Sequence, residues 1–325
     1  MYSDGIGTLA GMLAEWIHPS LILRDEPMNR HTSFRTGGPA DLFVMPREAE
    51  EVRAVLQVCH RENAPVLVIG NGTNLLVGDR GIRGVVVHLG NGFSEVRIRP
   101  DPCRGEPACL EAEGGALLSR VASEAQVHGL GGLAFAAGIP GSIGGAVAMN
   151  AGAYDHEMRE VVLETRCTDM TGTDIFCLRG AEAHDFAYRT SVILQRSLVV
   201  LSTVLSLVPT PVEEITREIL EYAKRRRRTQ PLSLPSAGSV FKRPPGHYAG
   251  QLIESCGLKG CRIGGAQVSE KHAGFIVNLG GASSADIRTL IRHVQDTVAG
   301  RTGVVLEPEI RIAGEWQENG KVIAG

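Results

Sequence analysis

Apolar positions along this chain repeat with two periods, and the places where one gives way to the other outline its elements. Residues 8–17 (TLAGMLAEWI) carry apolar side chains at helical spacing and predict a peripheral helix. Residues 42–46 (LFVMP) read as a short strand. Within 47–63, Val52, Val55, Leu56 and Cys59 fall on one helical face, which closes before Pro65. An apolar run at 66–69 predicts a buried strand, 71–74 (NGTN) a turn and 85–89 a further strand, so 38–90 form a compact α+β unit. Residues 93–100 and 108–116 alternate like strands of a second unit, with 117–130 as its helix and strand-like runs at 161–170, 174–178 and 197–209. A third unit opens with the amphipathic helix 212–228. It takes in a strand at 239–242 (SVFK), helices near 249–256 and 285–299, and strand-like runs at 274–279 and 306–314.

One stretch has no period at all. Residues 129–154 run for 26 residues without a charge, long enough to span a bilayer. Eight of them are glycine and Pro140 sits in the middle. In a helix interior each glycine costs about 1 kcal/mol and a proline about 3 kcal/mol relative to alanine, so the stretch reads as a chain of turns. The chain holds 40 glycines in 325 residues with no collagen-like period, a surplus suited to tight turns and close backbone approach to a ligand. Its 33 Lys and Arg against 36 Asp and Glu lack the basic excess of a general nucleic-acid binder. Seven cysteines (59, 103, 109, 167, 177, 256, 261) form no C-x-x-C pair, and the odd count argues against a secreted disulfide framework. With no signal peptide read at the N-terminus, a cytoplasmic, reduced setting is expected.

Several short motifs fail on context. Gly5-x-Gly7 matches a dinucleotide fingerprint, but no strand can precede it. His156-Glu157 begins a zincin-like motif whose second ligand position is Glu160, so no metal is expected. Pro140-Gly141-Ser142-Ile143-Gly144 lacks the first glycine of a nucleophile elbow. Two glycine-dense turns carry more. Gly70-Asn71-Gly72-Thr73-Asn74 follows a strand and offers successive N–H groups as an anion nest. Paired with Gly138-Ile139-Pro140-Gly141-Ser142-Ile143-Gly144-Gly145, it can grip an extended dinucleotide from two subdomains. The run Lys224-Arg225-Arg226-Arg227-Arg228 has three readings: a solvated helix end, a nucleic-acid patch, or a pocket for an anionic substrate.

Over nearly its whole length the chain resembles the UDP-N-acetylenolpyruvoylglucosamine reductases. The resemblance rests on residues 31–46 (HTSFRTGGPADLFVMP), 66–89, 132–154, 187–191 (AYRTS), 225–231 (RRRRTQP), 237–244 (AGSVFKRP), 249–278 and 303–311, in the family's order. The short connection between Tyr154 and Tyr188, and TQP after the arginines, are similar to the family's second type, which lacks an extra substrate-covering loop. The resemblance implies an α+β fold: a two-subdomain FAD-binding region of the vanillyl-alcohol-oxidase (PCMH) type plus a C-terminal α+β substrate domain. On that basis 1–20 is an N-terminal helical segment, 21–91 and 92–210 are the FAD-binding subdomains, and 211–325 binds substrate. It also implies non-covalent FAD, NADPH as reductant, and reduction of the enolpyruvyl ether of UDP-N-acetylglucosamine to UDP-N-acetylmuramate in peptidoglycan precursor synthesis. A monomer is expected, without nucleic-acid or membrane partners.

The family's catalytic arginine, proton-donating serine and catalytic glutamate fall on Arg189, Ser239 and Glu309. Cofactor contacts are expected from 70–74 and Leu75, from Gly138, Ile139, Pro140, Gly141, Ser142, Gly144 and Gly145, and from Asn150, Ala151 and Gly152. Substrate contacts are expected from Tyr188, Arg226, Lys242, Arg243 and His272, with Arg243 standing where some members carry Asn. These residue types suit the chemistry. Hydride addition to an enol ether conjugated to a carboxylate builds negative charge on that carboxylate, and a fixed guanidinium binds it in a fork. As a strand, 239–243 would put Ser239, Phe241 and Arg243 on one face. Glu307 near Glu309 would favour a protonated carboxyl, suiting Glu309 to acid behaviour. A flavin-dependent oxidase of related fold would share the FAD loops but not AGSVFK or LEPEIR.

Overall fold

The computed structural model describes residues 2–100, 107–318 and 321–324, and Cys103 lies outside them. The chain forms two compact units, each assembled from three separate stretches. The first comprises Met1–Arg24, Leu42–Asn71 and Gly84–Arg226; the second comprises Asp25–Asp41, Gly72–Arg83 and Arg227–Gly325.

In the first unit, helix Ala49–Arg61 buries Val52, Val55, Leu56 and Cys59, the face expected from their spacing. A fully buried Val or Leu contributes roughly 1.5–3 kcal/mol, so this face fixes the helix. Glu50 and Glu51 in its first turn and His60 and Arg61 in its last complement the helix dipole. It shares a core with Leu9 and Leu13 of helix Tyr2–Leu13 and with Val85 and Val87. Gly5 and Gly7 lie inside that first helix, so the literal G-x-G is helical backbone. Val66–Ile69 pairs in parallel with residues 85–88. A five-stranded antiparallel sheet takes the order Ile175–Arg179, Val162–Thr168, Val199–Ser206, Pro107–Glu113, Val96–Pro100. Helix Leu118–Val127 turns Leu118, Val121, Ala122 and Ala125 into the same core as Leu110 and Leu205. The uncharged stretch 129–154 folds as turns around the six-residue helix Ile143–Ala148, with Phe135, Ile143 and Val147 in that core. Among the described residues no helix is long and apolar enough to cross a membrane.

The second unit is organised by helix Ser284–Thr302, which buries Ile287, Leu290, Ile291, Val294 and Val298. Ser283 and Asp286 cap its start reciprocally, and Gly303, at φ +73°, ends it. The carboxylate of Asp79 accepts from the N–H groups of Ser284 and Ala285 at 2.8 and 2.9 Å, a charge-assisted contact at the helix's positive end. Leu75–Val77 pairs in parallel with Arg311–Ala313. Residues 239–242 are not the expected strand, and of 306–314 only Arg311–Ala313 is one. Isolated bridges join Ser239 to Phe275 and Phe241 to Pro308. Two features break the ladder: Gly238 sits at φ +77°, and Pro308 has no N–H. Val240 and Phe241 are both buried while Arg243 is exposed, so Ser239, Phe241 and Arg243 do not share one face.

Candidate functional site

The two glycine-dense turns meet in the first unit. A Cβ on Gly70 would lie 2.1 Å from Ser142 Oγ, so only glycine permits the approach. The neighbouring N–H groups of Asn71, Gly141 and Ser142 donate to no acceptor among the described residues, whereas Ile143 and Gly144 donate to Ala116 and Gly114. In the second unit's part of the first turn, the N–H groups of Gly72, Thr73 and Asn74 are equally unengaged, and Gly72 holds φ +59°. Within each unit, unsatisfied backbone donors of this kind suit a phosphate of a dinucleotide. Gly144 and Gly145 lie in the first turn of the short helix Ile143–Ala148 that follows.

Asn150, Ala151 and Gly152 follow that helix. Asn150 is fully buried at φ +43°. Its Nδ2 donates to Glu157 Oε2 at 2.8 Å and to Ala187 O at 3.1 Å, and its Oδ1 accepts from Arg159 N at 3.0 Å. The Glu157 carboxylate is held in turn by Arg159 Nε at 2.5 Å. Ala187 and Thr190 exchange two backbone hydrogen bonds of 3.1 and 3.3 Å, leaving Tyr188 and Arg189 at the tip of a tight reversal. Arg189 takes φ +57°, a conformation that costs a side-chain-bearing residue roughly 1–2 kcal/mol. Its Nη2 donates to Gly152 O at 3.3 Å, and its guanidinium lies 5.1 Å from the Tyr188 ring centroid. Tyr188 is half-exposed, and Ser191, fully buried, donates to Ala148 O at 2.8 Å.

The arginine run has several environments. Arg225 lies 5.2 Å over the ring of Tyr154, which stacks on Tyr222 at 4.2 Å with ring planes 1° apart. Burial, and then Glu218 Oε1 3.0 Å from its hydroxyl, push Tyr222 up to about 12. Arg226 sits against the second glycine turn: a Cβ on Gly138 would meet its Nη1 at 3.2 Å, and burial lowers the pKa of this guanidinium. Arg227 belongs to the second unit, where with Gln230, Ser269 and Lys271 it lines a cavity of about 440 Å³.

The second unit carries the other expected residues. Ser239 is half-buried, and its hydroxyl makes no hydrogen bond among the described residues. Backbone bonds from Val240 N to Gly274 O and from Glu309 N to Val240 O set Glu309 beside the serine segment. Asn74 Nδ2 donates to Glu309 O at 3.0 Å, and Leu75 pairs with Arg311, so this end of the glycine turn also braces the glutamate. Lys242 Nζ pairs with Glu307 Oε2 at 3.3 Å, which matches Glu307 with a cation. Arg243 lies 4.0 Å over the Tyr248 ring. His272 Nδ1 accepts from Gly274 N at 3.1 Å, and burial lowers its pKa, favouring the neutral ring.

Sequence reading gave Glu157, Arg159 and Ser191 no role in the site. The only signal at the first two was the incomplete H-E-x-x-H pattern, and Glu160, standing in the second ligand's place, hydrogen-bonds His156 at 2.7 Å.

Two family models match the chain: an FAD binding domain over residues 40–177, and UDP-N-acetylenolpyruvoylglucosamine reductase, C-terminal domain, over 230–313. The UDP-N-acetylenolpyruvoylglucosamine reductase of Caldanaerobacter subterraneus subsp. tengcongensis is 46% identical over 307 residues, 94% of this chain and 98% of its own. That of Agathobacter rectalis is 45% identical over 300 residues, 91% and 95% of the two chains. The crystal structure of UDP-N-acetylenolpyruvylglucosamine reductase from Thermus caldophilus superposes with a TM-score of 0.73 at 34% identity, covering 91% of this chain and 98% of that one. The α+β fold class, FAD-binding region followed by C-terminal domain, is the one expected from the sequence.

Proposed function

Because the chain belongs to the UDP-N-acetylenolpyruvoylglucosamine reductases, FAD-containing oxidoreductases, we propose that it reduces UDP-N-acetyl-3-O-(1-carboxyvinyl)glucosamine to UDP-N-acetylmuramate with NADPH, in peptidoglycan precursor synthesis. Segments 21–91 and 92–210 hold the cofactor, and 211–325 the sugar nucleotide. FAD, when bound, supplies the hydride carrier between NADPH and the vinyl carbon.

The chain's own residues do the rest. The unengaged N–H groups at Asn71–Asn74, Gly141 and Ser142 hold the cofactor diphosphate, with the Arg226 charge beside Gly138. Arg189 binds the substrate carboxylate and stabilises the enolate charge that appears there, a role for a cation that never deprotonates. Ser239 Oγ gives its proton to the carbon next to the carboxylate. Glu309, fixed through its backbone by Val240 and Asn74, completes the acid–base set. Lys242, Arg243, His272 and Tyr188 contact the substrate, and the enzyme acts as a cytoplasmic monomer.

The observation that most supports this reading is Arg189 held in a strained conformation at the tip of a closed turn, since such strain collects at functional sites. Anaerobic stopped-flow absorbance tests it: NADPH should bleach the flavin and the enolpyruvyl sugar nucleotide should restore its colour. Recolouring by oxygen far faster than by the sugar nucleotide would make the chain an oxidase.

A further inference from the structure

The turn that carries Arg189 is held by more than the guanidinium's own bond to Gly152 O. Its tip is closed by the paired Ala187 and Thr190, and its legs are tied to the last residue of helix Ile143–Ala148 and to the stretch that follows it. On one leg Ala187 O accepts from Asn150 Nδ2; on the other Ser191 Oγ donates to Ala148 O. Asn150 and Ser191 are both fully buried, and Asn150 spends both N–H groups and Oδ1 on Glu157, Ala187 and Arg159. The Asn150 amide therefore joins the Glu157–Arg159 ion pair to the reversal that carries Arg189.

We propose that Asn150 and Ser191 are positioning residues for Arg189, a two-point clamp that keeps the guanidinium in its strained, productive place. An asparagine suits this post on two counts. Its amide donates and accepts at once, and asparagine tolerates positive φ better than most residues. Aspartate would keep the acceptor, lose the donors and set a second negative charge against Glu157. The inference rests on the reading of Arg189 as the cation for the enolate.

Asn150→Gly isolates the clamp, because glycine keeps the left-handed backbone while removing the amide. In the holoenzyme, recolouring by the enolpyruvyl sugar nucleotide should slow about 10–100-fold, with bleaching by NADPH slowed far less; a 1 Å misplacement of a catalytic group costs this much. Ser191→Ala should slow the same step in the same direction. Hydrogen–deuterium exchange at the Ala187 and Thr190 amides should speed up in both variants, a readout independent of turnover. The decisive comparison is Asn150→Gly/Arg189→Ala against Arg189→Ala. If Asn150 acts through Arg189, the double variant recolours no more slowly than the single one. Full additivity, or unchanged exchange at Thr190 in Ser191→Ala, overturns the clamp. If Arg189→Ala itself recolours at the wild-type rate, the reading of Arg189 fails instead, and the two failures are distinct. Should Asn150→Gly not fold, Ser191→Ala alone decides by the same exchange and recolouring measurements.

Discussion

Gly70 and Ser142 touch so closely that a single methyl group on the glycine would stand 2.1 Å from the serine oxygen. Neither partner has room to yield, because Ser142 is buried and its chain neighbours Gly141 and Ile143 are bonded to Leu118 and Ala116. Gly70→Ala should therefore destabilise the protein by about 1–3 kcal/mol, the usual cost of overpacking, and purify with less flavin. Urea unfolding and the absorbance of the bound chromophore check both. A wild-type midpoint with full flavin content would show that the two turns slide freely. Acid precipitation of the wild type should leave the yellow colour in the supernatant, as expected of a non-covalent cofactor.

Ser239→Ala should slow recolouring by the enolpyruvyl substrate by about 10³-fold or more while the NADPH half-reaction continues. A lone hydroxyl is a weak acid, and the nearest cation of its segment, Lys242, is paired with Glu307. Ser239→Cys should recover part of the rate, because a thiol of similar reach is the stronger acid. Near wild-type single-turnover rates in the alanine variant would remove Ser239 from the mechanism.

Arg226, expected to contact the substrate, also places its guanidinium against Gly138 of the glycine turn proposed to hold the cofactor. Arg226→Ala should thus weaken flavin retention at least tenfold, with any rise in the KM for the sugar nucleotide the smaller effect. Titrating apo-protein with FAD by fluorescence quenching measures the first, and steady-state kinetics the second.

His184 provides a stability prediction with a definite sign. Its ring is fully buried, with Nδ1 2.7 Å from Gly180 O and Nε2 2.8 Å from Thr165 Oγ1, the pattern of a neutral imidazole. Burial lowers its pKa from the ordinary 6.5, so the unfolded chain takes up the proton first. The stability this group contributes is complete above 6.5 and is lost as pH falls from there toward the lowered folded value. Urea midpoints between pH 8 and 5 should decline on the acid side, and His184→Gln should flatten that decline. An identical acid slope in the variant would assign it to other groups.

What could be read beforehand depended on how local each cause is. Helix Ala49–Arg61 was legible because one face needs only its own spacing, and the turn at 70–74 because glycine and asparagine announce positive φ. The failures share a cause. Residues 239–242 alternate like a strand, but Val240 and Phe241 are both claimed by the core, and Pro308 opposite lacks an N–H. Arg189 at φ +57° carries no sequence mark, since its reversal contains neither glycine nor proline. The bonds of Asn150 to Glu157 and Ala187 were equally illegible, because these partners lie 7 and 37 residues away, beyond any window of pattern. Helix Val212–Thr229 reads as amphipathic, yet Ile215 is its one fully buried residue among those described.

The three-stretch construction of the second unit sets an order on the chain's synthesis. Phe34 O waits for the Asn278 amide 244 residues later, and Glu309 O is reached by Asn74 across 235 residues. At about 5–20 residues per second, a ribosome leaves the first of these partners alone for roughly 10–50 s. Phe34 and Leu76, both wholly enclosed in the finished unit, emerge in the first quarter of the chain, whereas the other buried members of their cluster begin only at Ala237. The nascent chain thus carries a greasy debt from its first third to its last. Any product released before the helix Ser284–Thr302 is made will display these side chains to chaperones and proteases as an unfinished protein.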